Sequence, residues 1–258
     1  MTKSFILLTN DDGYTSPALP PMKSALDSVA ETLIFTPDKN WSASGHPKTM
    51  HKLLRADTYT WEDGSTAYKS SGAPPDCVAL ALLGVIETRP DLIVSGINLG
   101  ANMGYDVFYS GTVAAAVEGV IHGIPAIAFS SAQPVENDDY TGRAKFAARL
   151  AARVLENDLP AATLLNVNFP AANWNNVQGV ALTRLGPRVY QDELVKRKDP
   201  RGRDYYWIGG YPPTGVPDHG TDIWAVENNL VSITPLSLDI TAHRMIEELK
   251  RWKLEELL

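Results

Sequence analysis

Short apolar runs alternate along the chain with stretches in which apolar residues recur every three or four positions. Phe5 to Thr9 is the first run; it stops at the turn formers Asn10, Asp11, Asp12 and Gly13 and reads as a buried strand. Leu19, Met22, Leu26 and Val29 then share one helical face, and Thr32 to Thr36 forms a second strand. Pro37 closes it and opens a polar loop through Trp41, Ser42, Ser44 and Gly45. Pro74 and Pro75 suit the first turn of a helix bearing Val78, Leu82 and Val85 on one face. Asp91 to Asn98 is the clearest strand, followed by a glycine-studded loop to Tyr109. Ser110 caps a predicted helix whose apolar face is Val113, Val117, Val120 and Ile121, ending near Gly123. Pro125 to Ser130 is a further strand, Thr141 caps a helix with Phe146, Leu150 and Val154 in register, and Thr163 to Phe169 is a strand again.

This alternation of short apolar strands with amphipathic helices predicts an α/β fold: a mostly parallel sheet with helices on both faces. After about Pro170 the pattern weakens. Pro187 to His219 is charged, rich in Gly and Pro, and holds the aromatic cluster Tyr205, Tyr206 and Trp207. A projecting hairpin arm fits that segment better than another core layer. Val231 to Leu236 returns as a strand, and a terminal helix from Thr241 carries Ile246, Leu249 and Trp252. No linker interrupts the pattern, so residues 1–258 are expected to form one α/β domain with a C-terminal arm at 187–219.

Composition narrows the function classes. The 258 residues are 44% hydrophobic and 21% charged, enough apolar material for a full core and unlike a disordered chain. With 23 Lys and Arg against 30 Asp and Glu, the net charge of −7 repels a nucleic-acid backbone, although one local anion site remains compatible with it. A single cysteine, Cys77, excludes an internal disulfide and a Cys-built zinc site, and its place among apolar helix residues fits a small core residue. Phe5 to Leu8 is too short for a signal-peptide core, and no run approaches the roughly 18 apolar residues of a membrane helix. The expectation is a cytoplasmic protein without a stable nucleic-acid or membrane partner.

The candidate chemistry lies where a parallel sheet binds ligands, at the carboxyl ends of its strands. Asp11 and Asp12, Ser42 and Asn98 fall at such ends. All offer hard oxygen donors, which suit magnesium, manganese or calcium rather than zinc or copper. Adjacent residues of a regular strand point to opposite faces, so both carboxylates converge only if the backbone turns, as Gly13 permits. The same four residues, Asn10 to Gly13, also describe an ordinary turn. Ser110, Gly111 and Thr112 open the helix after the glycine loop. Free N–H groups, the helix dipole and two hydroxyls there attract phosphate, although a plain serine cap would look the same. A cation site beside an anion site is what hydrolysis of a phosphate ester requires.

Other features carry less. His46, His51, His122, His219 and His243 show no metal-ligand spacing, and Lys196 to Arg203 reads as a solvated charged turn. Tyr205 to Trp207 would suit a subunit contact, which predicts a homo-oligomer through the arm and the terminal helix. The chain has no G-x-x-x-x-G-K-[ST] phosphate loop. A receiver-type signalling domain also begins with an acidic pair, but it needs an aspartate where this chain has Asn98 and a lysine after the strand ending at Ser130. A non-catalytic nucleotide-binding subunit is the remaining alternative.

Three blocks carry a family resemblance: ILLTNDDGY at Ile6 to Tyr14, PDLIVSGINLGANMGYDVFYSGTVAAAVEG at Pro90 to Gly119, and GTDIWAVENNLVSITPL at Gly220 to Leu236. Together they resemble the SurE family of stationary-phase survival proteins, and the likeness runs over nearly the whole chain. It implies a Rossmann-like fold, a homodimer or homotetramer, and a phosphatase of nucleoside monophosphates dependent on one divalent metal ion, Mg²⁺ or Mn²⁺. By this resemblance the metal ligands are Asp11, Asp12, Asn98 and a loop serine, Ser42 or Ser44. Asp11 or Asp12 assists an attacking water, while Asn102, Ser110, Gly111 and Thr112 hold the phosphate. Two departures stand out: Trp41 replaces an arginine common before the loop serine, and Ala73 replaces a threonine in the segment from Gly72 to Val78.

Overall fold

The computed structural model describes residues 3–42, 45–133, 135 and 139–257, so Ser44 lies outside the described residues. Its centre is a nine-stranded sheet. The strands are β1 (Phe5–Thr9), β2 (Glu31–Pro37), β3 (Ala56–Thr60), β4 (Thr66–Ser70), β5 (Leu92–Asn98), β6 (Ala126–Ser131), β7 (Thr163–Phe169), β8 (Gly179–Leu182) and β11 (Leu230–Ser237), in the order β3-β4-β2-β1-β5-β6-β7-β11-β8. From β4 to β7 every neighbouring pair is parallel. The antiparallel pairings fall outside that run, β3 on β4 and β11 on β7.

The sheet is covered on both faces, as expected, and the strand alternation decides what meets what. Ile6 and Leu8 face α1 (Leu19–Leu26) and α4 (Thr141–Asn157), where they pack with Leu19, Met22, Ala147 and Phe129. Leu7 and Ile93 face the other way, into a cluster with Cys77 and Val78 of α2 (Pro74–Leu80) and Ala115 and Ala116 of α3 (Gly111–Ile121). Strands β1 and β5 are therefore apolar on both sides, which is why they read as continuous runs.

The arm is the hairpin of β9 (Arg188–Lys198) and β10 (Asp204–Gly215), a two-stranded sheet separate from the central one. Tyr205, Tyr206 and Trp207 are 39%, 56% and 63% exposed on it, too open to form a core of their own. Two short helices complete the chain, α5 (Asp222–Glu227) and α6 (His243–Leu249). Among the described residues no helix is long and apolar enough to cross a membrane.

Four local expectations need correction. Thr141 is the first residue of α4, not its cap; its N–H donates to Asp139 Oδ1 at 2.9 Å, so the carboxylate does the capping work. Ile121 is exposed, because the inward face of α3 is filled by alanines that let the helix sit close to the sheet. Val85 is also exposed: α2 stops at Leu80 and a wider turn carries the chain through Gly84, whose φ is +118°. The terminal helix stops at Leu249, and Trp252 stands in a following tight turn, 60% exposed.

Candidate active site

The turn after β1 is built by its own side chains. Asn10 Oδ1 accepts from Gly13 N–H at 3.1 Å, and its Nδ2 donates to Gly13 O at 3.0 Å. Gly13 has φ of +89°, and a Cβ there would stand 3.0 Å from the Lys39 carbonyl carbon, so only glycine fits comfortably. The turn thus takes the chain out of strand geometry at the two aspartates. Asp11 Oδ1 accepts the hydroxyl of Thr112, while Asp12 Oδ2 accepts Leu99 N–H at 3.1 Å and Oδ1 accepts Asn40 Nδ2 at 3.3 Å. Asn10 to Gly13 is both a turn and a place where two carboxylates gather.

Their electrostatics follow from those partners. Burial pushes the Asp11 carboxyl up from the ordinary range, with the Thr112 hydroxyl as the main opposing influence. Asp12 is pushed up to about 6, first by burial and then by the negative charge of Asp11. No cationic side chain contributes to either shift. A buried and a half-buried carboxylate that repel each other and are served only by neutral donors are a fitting seat for a hard divalent cation. Among the described residues no three His, Cys, Asp or Glu gather as a metal cluster, so at this turn two carboxylates stand without a third.

The neighbouring oxygen donors come from two loops. Trp41 N–H donates to Asp11 O at 2.8 Å, which brings Ser42 to the residue beside the acidic turn, where it is exposed. Ser42 N–H in turn donates to Asn40 Oδ1 at 2.8 Å. Asn98 closes β5, next to β1, after a register shift against β6 between Ser95 and Asn98. Its Nδ2 donates to Gly100 O at 2.8 Å, which turns the amide so that Oδ1 is its remaining donor atom for a cation.

The start of α3 leans directly on Asp11. A Cβ on Gly111 would meet Asp11 Cβ at 2.9 Å, so glycine lets the helix approach that closely. Ser110 is the cap: its Oγ accepts Val113 N–H at 3.1 Å. The Gly111 N–H has no intrahelical acceptor and is available to an anion. Thr112 differs from expectation, since both its hydroxyl and its N–H serve the Asp11 carboxylate. Asn102 is buried, with Nδ2 on Ser130 Oγ at 2.7 Å and one amide hydrogen left over.

Several residues of this region were not singled out by sequence. Buried Asp222 accepts Gly104 N–H and Gly186 N–H, each at 2.8 Å, and so pins the glycine loop to the root of the arm. Asp106 of the same loop pairs with Arg188 and accepts the Tyr190 hydroxyl at 2.8 Å. Asn166 and Asn168 hold Asn102. Their signal was present, as two amides interrupting the apolar run of β7, and Asp222 sits in one of the three resemblance blocks. A cavity of about 690 Å³ reaches Ser110, bordered also by His46, Val113 and Thr183, while one of about 750 Å³ bordered by Val29, Phe146, Arg149 and Trp174 touches none of the site residues.

Comparison with known proteins gives this geometry a context. A family model described as Survival protein SurE matches residues 6–192. The chain is 48% identical over 252 residues to the 5′-nucleotidase SurE of Chloroflexus aggregans, covering 97% of this chain and 100% of that one. It is 52% identical over 237 residues to the 5′-nucleotidase SurE of Herpetosiphon aurantiacus, covering 92% and 93%. The crystal structure of the SurE protein from Aquifex aeolicus superposes with a TM-score of 0.81 at 38% identity, over 96% of this chain and 99% of that one. With sequence and fold shared across almost the full length of both partners, this chain belongs to the SurE family.

Proposed function

We propose that the protein is a metal-dependent 5′-nucleotidase, a phosphomonoester hydrolase acting on nucleoside monophosphates. The observation that carries this reading is the contact between Asp11 and the start of α3: Thr112 donates to the carboxylate and Gly111 packs against it. This contact supports a cation seat and an anion seat lying side by side. The 5′ position follows the names of the relatives.

Asp11, Asp12, Asn98 and Ser42 are the residues that would hold the ion, and hard oxygens favour Mg²⁺ or Mn²⁺. An ion held there would supply charge neutralisation at the phosphate and a more acidic water. The chain's own groups do the rest. The Gly111 N–H and the Ser110 hydroxyl hold phosphate oxygens, with the spare amide hydrogen of Asn102 as a further donor. One of the two carboxylates orients the attacking water. Thr112 holds Asp11 in place.

Direct attack by water fits these contacts better than a phosphorylated enzyme. Ser110 Oγ already accepts from Val113 N–H, and among the described residues no imidazole or amine is hydrogen-bonded to it as a base; His46, which borders the same cavity, is engaged with Glu118. Residues 1–258 act as one α/β domain, in the cytoplasm, as a homo-oligomer joined through the exposed arm at 187–219. Phosphate release from 5′- and 3′-nucleoside monophosphates, with chelator and then with Mg²⁺ or Mn²⁺ restored, is the test. Release from 5′-monophosphates that disappears with chelator and returns with metal is expected; undiminished release in chelator would overturn the reading. A chiral thiophosphate substrate in labelled water should invert at phosphorus, and retention would establish a covalent route instead.

A further inference from the structure

The loop at 99–109 joins the two seats of the site, with Asn98 just before it and Ser110 just after. Strand β7 sends two asparagines toward this loop. Asn166 and Asn168 are two residues apart, so both leave the strand on the same face, and both are fully buried. Asn168 Oδ1 accepts Asn102 N–H at 2.8 Å and its Nδ2 donates to Asn102 O at 3.0 Å. Asn166 Nδ2 donates to the same carbonyl at 2.9 Å. One side-chain amide therefore meets both backbone groups of a single loop residue, as a neighbouring strand would.

Fold stability alone does not explain these amides. The other positions of β7 with the same burial are Leu164, Val167 and Phe169, and apolar residues would serve the sheet equally well. Asn166 Oδ1 is buried without a partner among the described residues, an unfavourable state that a purely structural position would shed. What the pair achieves is a fixed backbone at Asn102, four residues beyond Asn98.

We propose that Asn168, with Asn166 as a second donor, is a positioning residue for phosphate-ester hydrolysis: it clamps Asn102 and thereby sets the loop against the acidic turn. The proposal rests on the hydrolase reading above. Neither side chain touches substrate; each acts through the backbone of Asn102. A shift of about 1 Å in a reacting group can lower turnover on the order of 10²-fold, so a loosened loop is costly even when the fold survives.

The test compares Asn168→Ala with Lys23→Met in the same chain. Lys23 is also buried, in the last turn of α1, where its Nζ donates to Asp27 Oδ2 at 2.6 Å and Asp63 Oδ2 at 3.0 Å and touches no group of the loop. Asn168→Ala should lower kcat for a nucleoside 5′-monophosphate at least about tenfold, and weaken inhibition by inorganic phosphate, while Lys23→Met leaves both within about twofold. Hydrogen exchange in a peptide spanning 99–104 should quicken at least about tenfold in Asn168→Ala only. If Asn168→Ala does not fold, Asn166→Ala, which removes one of two donors to the Asn102 carbonyl, should show the same pattern at smaller amplitude. Parental kcat and exchange in the folded variant would overturn the proposal. An inactive parent protein would overturn the hydrolase reading instead, and the exchange measurement would still decide whether the clamp exists.

Discussion

Helix α3 has a buried carboxylate at each end, and the two behave in opposite ways. Asp11 packs against its first turn and is 3% exposed; Glu118, near its last turn, is 1% exposed. Burial pushes Asp11 up and leaves it there. Glu118 is held down at about 2, with the His46 hydrogen bond as the largest cause and the contacts of Lys48 and His122 adding to it. Lys48 Nζ lies 3.1 Å from Glu118 Oε1, while His46 and His122 each approach at 3.2 Å. At Glu118 the protein supplies its own positive charge, and the result is a knot that ties the segment after Gly45 to the helix. Nearby, Asp76 accepts Thr49 N–H and hydroxyl and reinforces the same tie. At Asp11 and Asp12 the partners are neutral, so the negative charge is left for a ligand to satisfy. A buried acid with its cation built in is architecture; one without it is a site.

The sharpest break in that comparison comes from removing charge at the site. Asp11→Asn and Asp12→Asn should each lower turnover on the order of 10³-fold while the protein stays folded. In chelator, Asp12→Asn should melt no lower than the parent, because the folded state resists ionising this group. The sign follows from Asp12 sitting near 6 folded against 3.8 unfolded: the metal-free parent gains stability as pH falls from about 6 towards 4. Melting curves across that range check both points, and a marked drop in melting temperature for Asp12→Asn would make Asp12 a structural acid like Glu118.

Glu118→Gln should do the reverse. Taking the carboxylate from Lys48 and two histidines should cost about 2–4 kcal/mol of stability, with a smaller loss of turnover than at the aspartates. Glu118 titrates near 2 folded against 4.5 unfolded, so its contribution is complete above 4.5 and is lost as pH falls through 4.5 towards 2. Denaturant melts of parent and variant should converge on acidification; a constant gap would show that the charge is not what matters.

Thr112→Val probes the neutral donor on Asp11. Losing that hydroxyl should weaken magnesium or manganese binding by about 1–3 kcal/mol, measured calorimetrically, with phosphate affinity less affected. Weakened phosphate with unchanged metal would return Thr112 to the anion seat. The smallest effect on turnover is expected on the arm. Tyr206→Ser with Trp207→Ser should reduce self-association by light scattering at micromolar concentration and leave the melting temperature within a few degrees, since both residues are more than half exposed. A parent that is monomeric at that concentration would remove the arm's assigned purpose.

Much of this was legible in the chain. β1, β2, β5, β6 and β7 were marked by apolar runs ending in turn formers, because strands buried on both faces tolerate little else. The short edge strands β3 and β8, and β4 beside β3, were not marked: Ala56 to Thr60 is largely exposed and Gly179 to Leu182 only half-buried, so neither edge shows the burial pattern that makes a strand visible. The acidic pair, Asn98 and the Ser110 cap were readable for the same local reason, since each sits where an element begins or ends. Ser110 as a cap needed only its own turn; Thr112 as the partner of Asp11 needed the fold to join two positions 101 apart.

Sequence by itself therefore determined the family, the alternating α/β architecture, the oxygen-bearing residues at the strand ends and the Ser110-capped helix start. These depend on residue type and on contacts within a few positions. Tertiary structure decided which acid would be neutralised and which left open, how Asn166 and Asn168 grip Asn102, and how Asp222 joins the loop to the arm. Those contacts pair groups separated by 64, 66, 70, 72 and 118 positions. Spacing along the chain carries no record of such pairings, because the charge and hydrogen-bonding state of a buried group is set by whatever the fold brings beside it.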